Sequence, residues 1–112
     1  MSEGSVSQLP VSGIAALVEA GAAFIDVREP LETSAGKAPG VTLMPMQSFK
    51  LDEVPADVPL VIICRSGARS DSVAGALAGL GYTTYNVIGG MIAWDAAGLP
   101  VVAEDGTPGS VF

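Results

Sequence analysis

One thiol and no imidazole set the nucleophilic chemistry open to this chain. Cys64 is the single cysteine among 112 residues, and there is no histidine. The missing histidine removes Ser-His-Asp and Cys-His catalysis and every zinc site that needs imidazole. A single cysteine removes the intrachain disulfide, the CxxC redox pair and the cysteine-rich metal cluster. Carboxylate chemistry remains, as does a lone thiolate activated by something other than a histidine. The stretch Cys64-Arg65-Ser66-Gly67-Ala68-Arg69-Ser70 offers such activation, since it places two of the five basic residues within five positions of the thiol. Gly67 permits the positive φ that curls successive amides into an anion-binding nest. A helix start just beyond it adds positive potential. Each effect favours the charged sulfur, so a depressed thiol pKa and a reactive Cys64 are expected. The competing reading makes Cys64 a small buried hydrophobe, with Arg65 and Arg69 as solvated surface charges.

The elements that must hold this loop are legible around it. Leu60-Val61-Ile62-Ile63 is a continuous apolar run, as expected of a strand covered on both faces, and Cys64 follows it directly. Val73, Ala74, Ala76, Leu77 and Leu80 form one apolar helical face after the loop, with Gly81 as the stop. Upstream, Ile14, Leu17 and Val18 repeat at helical spacing, with Ser12 as the expected N-cap and Gly21 as the end. Ala23-Phe24-Ile25-Asp26-Val27 reads as a strand ended by Arg28-Glu29-Pro30, and Val41-Thr42-Leu43-Met44-Pro45 as a second short one. Tyr82-Thr83-Thr84-Tyr85-Asn86-Val87-Ile88 is strand-like, and Gly89-Gly90 breaks it. Met91-Ile92-Ala93-Trp94 then opens a last short helix. Strands alternating with helices, without hairpin turns, argue for an α/β fold with a mainly parallel sheet. Ligands sit beyond the carboxyl ends of such strands, which is where Cys64 falls. The expected organisation is a flexible start over residues 1–5, one domain over 6–102 and a loose tail over 103–112.

Composition narrows the partners. With 49% hydrophobic and 15% charged residues the chain is too apolar to be disordered. Twelve acids against five bases give a net charge of −7, which argues against nucleic-acid binding. Four aliphatic residues in a row fall far short of the ~18 that a membrane helix requires. The start has no basic or apolar signal-peptide pattern, so a monomeric cytoplasmic protein with a reduced thiol is expected.

The loop Cys64-Arg65-Ser66-Gly67-Ala68-Arg69-Ser70 closely resembles the active-site loop C-R-S-G-x-R-S of the rhodanese-family sulfurtransferases. Phe24-Ile25-Asp26-Val27-Arg28-Glu29-Pro30 is similar to the family's D-V-R-E-P segment, and Ala35-Gly36-Lys37-Ala38-Pro39-Gly40-Val41 to its A-G-H-I-P-G-A segment. Leu80-Gly81-Tyr82, Asn86, Gly89-Gly90 and Trp94 fall in family order. The resemblance implies a three-layer α/β/α domain with a central, mainly parallel sheet of about five strands and no cofactor or metal. It also implies double displacement. Cys64 takes sulfane sulfur from an anionic donor such as thiosulfate, becomes a persulfide, and passes the outer sulfur to cyanide or a thiol, including a partner protein's thiol. Within that scheme residues 65–70 (Arg65, Ser66, Gly67, Ala68, Arg69, Ser70) cradle the persulfide. Arg69 and the Ser70 hydroxyl support it, and Arg65 helps to hold the donor. Asp26 and Arg28 brace the fold near the site, while Gly89, Gly90 and Trp94 have an ordinary packing explanation.

Lys37 and Ala38 depart from the family's His-Ile, and Ala68 stands where many members carry Asn or another polar residue. The first change bears on local packing, the second on a contact at the pocket mouth. Two other functions share this loop plan. A cysteine phosphatase places five residues between Cys and Arg, whereas four separate Cys64 from Arg69, a cradle better sized for one sulfur than for phosphate. A sulfur-carrying or regulatory module fed by a partner would have the same loop as a free-standing enzyme.

Overall fold

The computed structural model describes residues 4–112. Five strands form one sheet in the order β1-β5-β4-β2-β3, with every pairing parallel: β1 (Ser5–Leu9), β2 (Ala23–Asp26), β3 (Thr42–Leu43), β4 (Leu60–Ile63) and β5 (Thr83–Val87). The helices are α1 (Ile14–Glu19), α2 (Pro30–Ala35), α3 (Ala68–Ala78) and α4 (Gly90–Ala96). All four residues of central β4 are fully buried. Its period of two sends Leu60 and Ile62 to one side, against Val73, Ala74 and Leu77 of α3. Val61 and Ile63 go to the other side, against Ile14 of α1 and Met91 and Trp94 of α4. This is the expected three-layer α/β/α arrangement. Among the described residues no helix is long and apolar enough to cross a membrane.

Several local expectations change. Ser12 does not cap α1: a 3-10 turn over Val11–Gly13 precedes the helix, and the Gly13 N–H donates to the Pro10 carbonyl at 2.9 Å. Ala76 and Leu80 lie on the exposed side of the α3 region, because its buried stripe runs through Ser70, Val73, Ala74, Leu77 and Ala78. The Arg28-Glu29-Pro30 strand end opens α2, where Pro30 is the first helical residue and the Glu32 carboxylate accepts the Glu29 N–H at 3.0 Å.

Both proposed ends are structured where described. Residues 1–3 of the expected flexible start lie outside the described residues, but the Gly4 and Ser5 N–H groups donate to the Ala78 and Tyr82 carbonyls. The expected loose tail instead folds back onto the end of α2. Glu104 and Ser110 donate to the Ser34 and Ala35 carbonyls, each at 3.0 Å, filling acceptors that the last turn of a helix leaves open. Val102 exchanges two 2.9 Å bonds with Lys37, so the departure from the family pattern at Lys37 sits in a backbone bridge.

Candidate active site

β4 runs straight into the site. Its last side chain is followed by Cys64, which is 1% exposed, and the chain then turns through Arg65, Ser66 and Gly67 into α3. Gly67 has φ +104°, and a Cβ there would press on the Val87 carbonyl, so the turn needs glycine. The helix begins at Ala68, so Ala68, Arg69 and Ser70 form its first turn and are not part of an extended loop. Behind the turn, Met91 and Ile92 of α4 donate to the Cys64 and Arg65 carbonyls at 2.8 and 3.1 Å. Gly90 allows this approach, since a Cβ there would overlap both of those carbonyl groups. Its packing role is therefore exercised on the loop itself. Trp94 packs elsewhere, against Phe24 with ring centroids 5.8 Å apart, and its indole N–H donates to the Pro100 carbonyl.

The sulfur is surrounded by donors. The Gly67 N–H lies 3.1 Å from Cys64 Sγ and the Ser70 hydroxyl 3.2 Å from it. Burial pushes the thiol up, but the Ser70 hydroxyl and the N–H groups of Ser70, Gly67 and Ser66 outweigh it. Cys64 therefore titrates below its ordinary value. Of the activating groups expected from the sequence, the amides at the turn and helix start are in contact with the sulfur, joined by the Ser70 hydroxyl, while no hydrogen bond reaches it from either guanidinium.

The two arginines part company. Arg65 is exposed at the rim of the turn. Arg69 is clamped by Glu32 of α2 in a two-pronged pair, Nη1 to Oε1 at 2.7 Å and Nη2 to Oε2 at 2.8 Å. This pair holds the Glu32 carboxyl down at about 2 and holds the guanidinium more firmly charged. Asp26 and Arg28, at the end of β2, form a fully buried ion pair of 2.8 Å, and Arg28 Nη2 donates to the Gly36 carbonyl at 2.7 Å. Sequence reasoning missed Glu32, Asn86 as a site residue, and Gln8. Asn86 accepts from the Ser70 hydroxyl at 2.6 Å and donates to Gln8 at 2.9 Å. Glu32 was signalled by the Glu29-Pro30-x-Glu32 helix start, while Gln8 had no local signal.

Together these features define an α/β domain that presents one thiol in a nest of amides at a helix start. The chain belongs to the rhodanese-like domain family, which matches residues 12–97. A sulfurtransferase of Allochromatium vinosum is 41% identical over 86 residues, covering 74% of this chain and 80% of that one. A thiosulfate sulfurtransferase of Actinobacillus succinogenes is 37% identical over 83 residues, covering 71% and 75%. The crystal structure of a rhodanese-related protein from Thermoplasma volcanium superposes with a TM-score of 0.80 at 28% identity, over 88% of this chain and 99% of that one.

Proposed function

We propose that the chain is a sulfurtransferase that carries sulfane sulfur on Cys64, with thiosulfate as a competent donor. The observation that carries this reading is the set of donors converging on Sγ, the Gly67 N–H at 3.1 Å foremost. The Cys64 thiolate attacks the outer sulfur of thiosulfate. The new S–S bond forms as the old one breaks, and sulfite leaves with the bonding pair. The enzyme now holds Cys64–S–S⁻, whose added negative sulfur is stabilised by the amides of the turn and of the first turn of α3. A thiolate or cyanide then attacks the outer sulfur and leaves as a persulfide or as thiocyanate, and the Cys64 thiolate returns. Arg65, exposed at the rim, meets the anionic donor. Arg69 acts through its clamp to Glu32 and holds the first turn of α3 in place. A nucleophile that must stay a free thiol suits a reducing compartment such as the cytoplasm.

Intact mass after incubation with thiosulfate, without reducing agent, tests this reading. Wild type gains one sulfur and Cys64→Ala gains none. Absence of an adduct with several donors would sink the proposal. Hydrolysis of p-nitrophenyl phosphate that is lost in Cys64→Ser would redirect it to phosphoryl chemistry.

A further inference from the structure

Behind the sulfur lies a chain of side-chain hydrogen bonds that runs out to the surface. The Ser70 hydroxyl, fully buried, stands 3.2 Å from Cys64 Sγ and 2.6 Å from Asn86 Oδ1. Asn86 Nδ2 donates to Gln8 Oε1 at 2.9 Å, and Gln8 Nε2 donates to Asp71 Oδ1 at 2.9 Å. The fold sets this order. β1 pairs with β5 so that Gln8 lies directly opposite Asn86, and Asp71 follows Ser70 on α3.

A hydroxyl has one proton, an amide has a donating and an accepting end, and an ionised carboxylate only accepts. Asp71 therefore requires the nitrogen of Gln8, which turns the Gln8 oxygen toward Asn86. That oxygen requires the nitrogen of Asn86, which turns the Asn86 oxygen toward Ser70. While the sulfur is a neutral thiol the Ser70 proton is therefore drawn to Asn86, and the hydroxyl donates to the sulfur only as the thiolate forms, by giving up that bond. We propose that Gln8 and Asp71 are positioning residues that, through Asn86, fix the direction in which the Ser70 hydroxyl donates and so restrain its donation to Cys64.

When the sulfur ionises, it competes for that proton. If Ser70 turns to it, two oxygens 2.6 Å apart face each other without a proton between them. Rotation of both amides relieves this, but it points the Gln8 oxygen at the Asp71 carboxylate. The chain is therefore a brake on the thiolate, set by a residue that never touches it. The inference rests on Cys64 being the reacting sulfur. Its test reads the thiol with no donor present, so it succeeds or fails apart from the mass measurement above.

The ultraviolet absorbance of the thiolate is followed against pH in wild type, Gln8→Leu and Gln8→Glu. Gln8 is exposed on an edge strand, so both variants keep the fold. The native charged groups around Cys64 are kept in all three proteins: Arg69 and Asp71 from α3, Glu32 from α2, the buried Asp26–Arg28 pair at the end of β2, and Arg65 in the turn. Gln8→Glu adds one carboxylate, whose charge acts only to move the curve up. Gln8→Leu frees Asn86 to rotate while leaving the Asp71 charge in place. Its curve moves to lower pH, with an about three-fold larger thiolate fraction on the rising limb. Gln8→Glu still accepts from Asn86, and its curve does not move down. Asp71→Asn moves the curve down in wild type and by less in a Gln8→Leu background, as coupled residues require. A Gln8→Leu curve that coincides with wild type or moves up overturns the proposal. So does a Gln8→Glu curve that falls as far as that of Gln8→Leu. Equal effects of Asp71→Asn in both backgrounds would assign Asp71 a purely through-space charge effect and overturn it as well.

Discussion

Replacing Glu32 by glutamine should remove a pH-dependent part of the stability of this domain. The carboxylate grips Arg69 with both oxygens, at 2.7 and 2.8 Å, and also takes the Glu29 N–H at 3.0 Å. Glutamine keeps one accepting oxygen, but its amide nitrogen faces the second guanidinium nitrogen, so one bond is lost and two donors meet. In the folded chain Glu32 is held at about 2, against an ordinary 4.5, chiefly by Arg69. If the whole displacement counted, the pair would stabilise the fold by about 3 kcal/mol. Solvent reaches 34% of the Arg69 side chain, so screening reduces this to about 1 to 1.5 kcal/mol. For a chain of this length that lowers the midpoint of thermal unfolding by about 4 to 6 °C.

The sign of the pH dependence follows from the depressed carboxyl. Its contribution is fully present above the unfolded value of 4.5 and fades as pH falls toward about 2. Urea unfolding of both proteins at pH 7 and at steps down to pH 3 reads the difference directly. The other carboxylates titrate alike in the two proteins and cancel. The gap at neutral pH should shrink below pH 4.5, and a gap of constant size would refute the ion-pair argument and leave only packing.

Two further outcomes follow from the same geometry. Ser70→Ala removes the hydroxyl 3.2 Å from Sγ but leaves the Ser70 amide in place. The thiolate fraction below the titration midpoint should fall about two- to five-fold with the fold intact, as read by absorbance and circular dichroism. Gly36→Ala places a Cβ against the Ser110 backbone and Val101, where the C-terminal segment closes the end of α2. It should cost about 1 to 3 kcal/mol in urea unfolding and speed amide exchange at Ser110.

What the sequence made legible was the part of the site built from neighbours along the chain. Leu60-Val61-Ile62-Ile63 announced a buried strand because both faces are covered, and Gly67 announced the turn because its positive φ excludes a side chain. Strand β1 escaped because it lies at the edge, with Ser5, Val6, Ser7 and Gln8 exposed, so burial imposed no apolar pattern. Helix α2 escaped because six residues with Leu31 turned to solvent make no amphipathic stripe, although Pro30 and Glu32 marked its start. Those two elements deliver the partners that were missed. Glu32 is 37 residues from Arg69, and Gln8 is 78 from Asn86. No local spacing encodes such pairs; they appear only when parallel register and helix docking bring the elements together.

The clamp on Arg69 also changes what activates the sulfur. A guanidinium paired by both nitrogens to Glu32 presents little net charge, so its field at Cys64 is largely cancelled by its partner. The donors that remain are the Gly67 N–H and Ser70 hydroxyl, in contact with the sulfur at 3.1 and 3.2 Å, with the amides of Ser66 and Ser70. Contact dipoles fixed by a turn are not screened by ions, whereas the field of an open charge at the surface is. The Debye length shrinks from about 30 Å at 0.01 M salt to about 3 Å at 1 M. Across that range the thiolate titration of Cys64 should therefore hold nearly still. Delivery of an anionic donor to a chain of net charge −7 should instead quicken as the repulsion is screened, until salt also hides Arg65 at the rim. A titration curve that climbs steeply with salt would show that the arginines activate the sulfur after all, and that the amide nest only shapes the space around it.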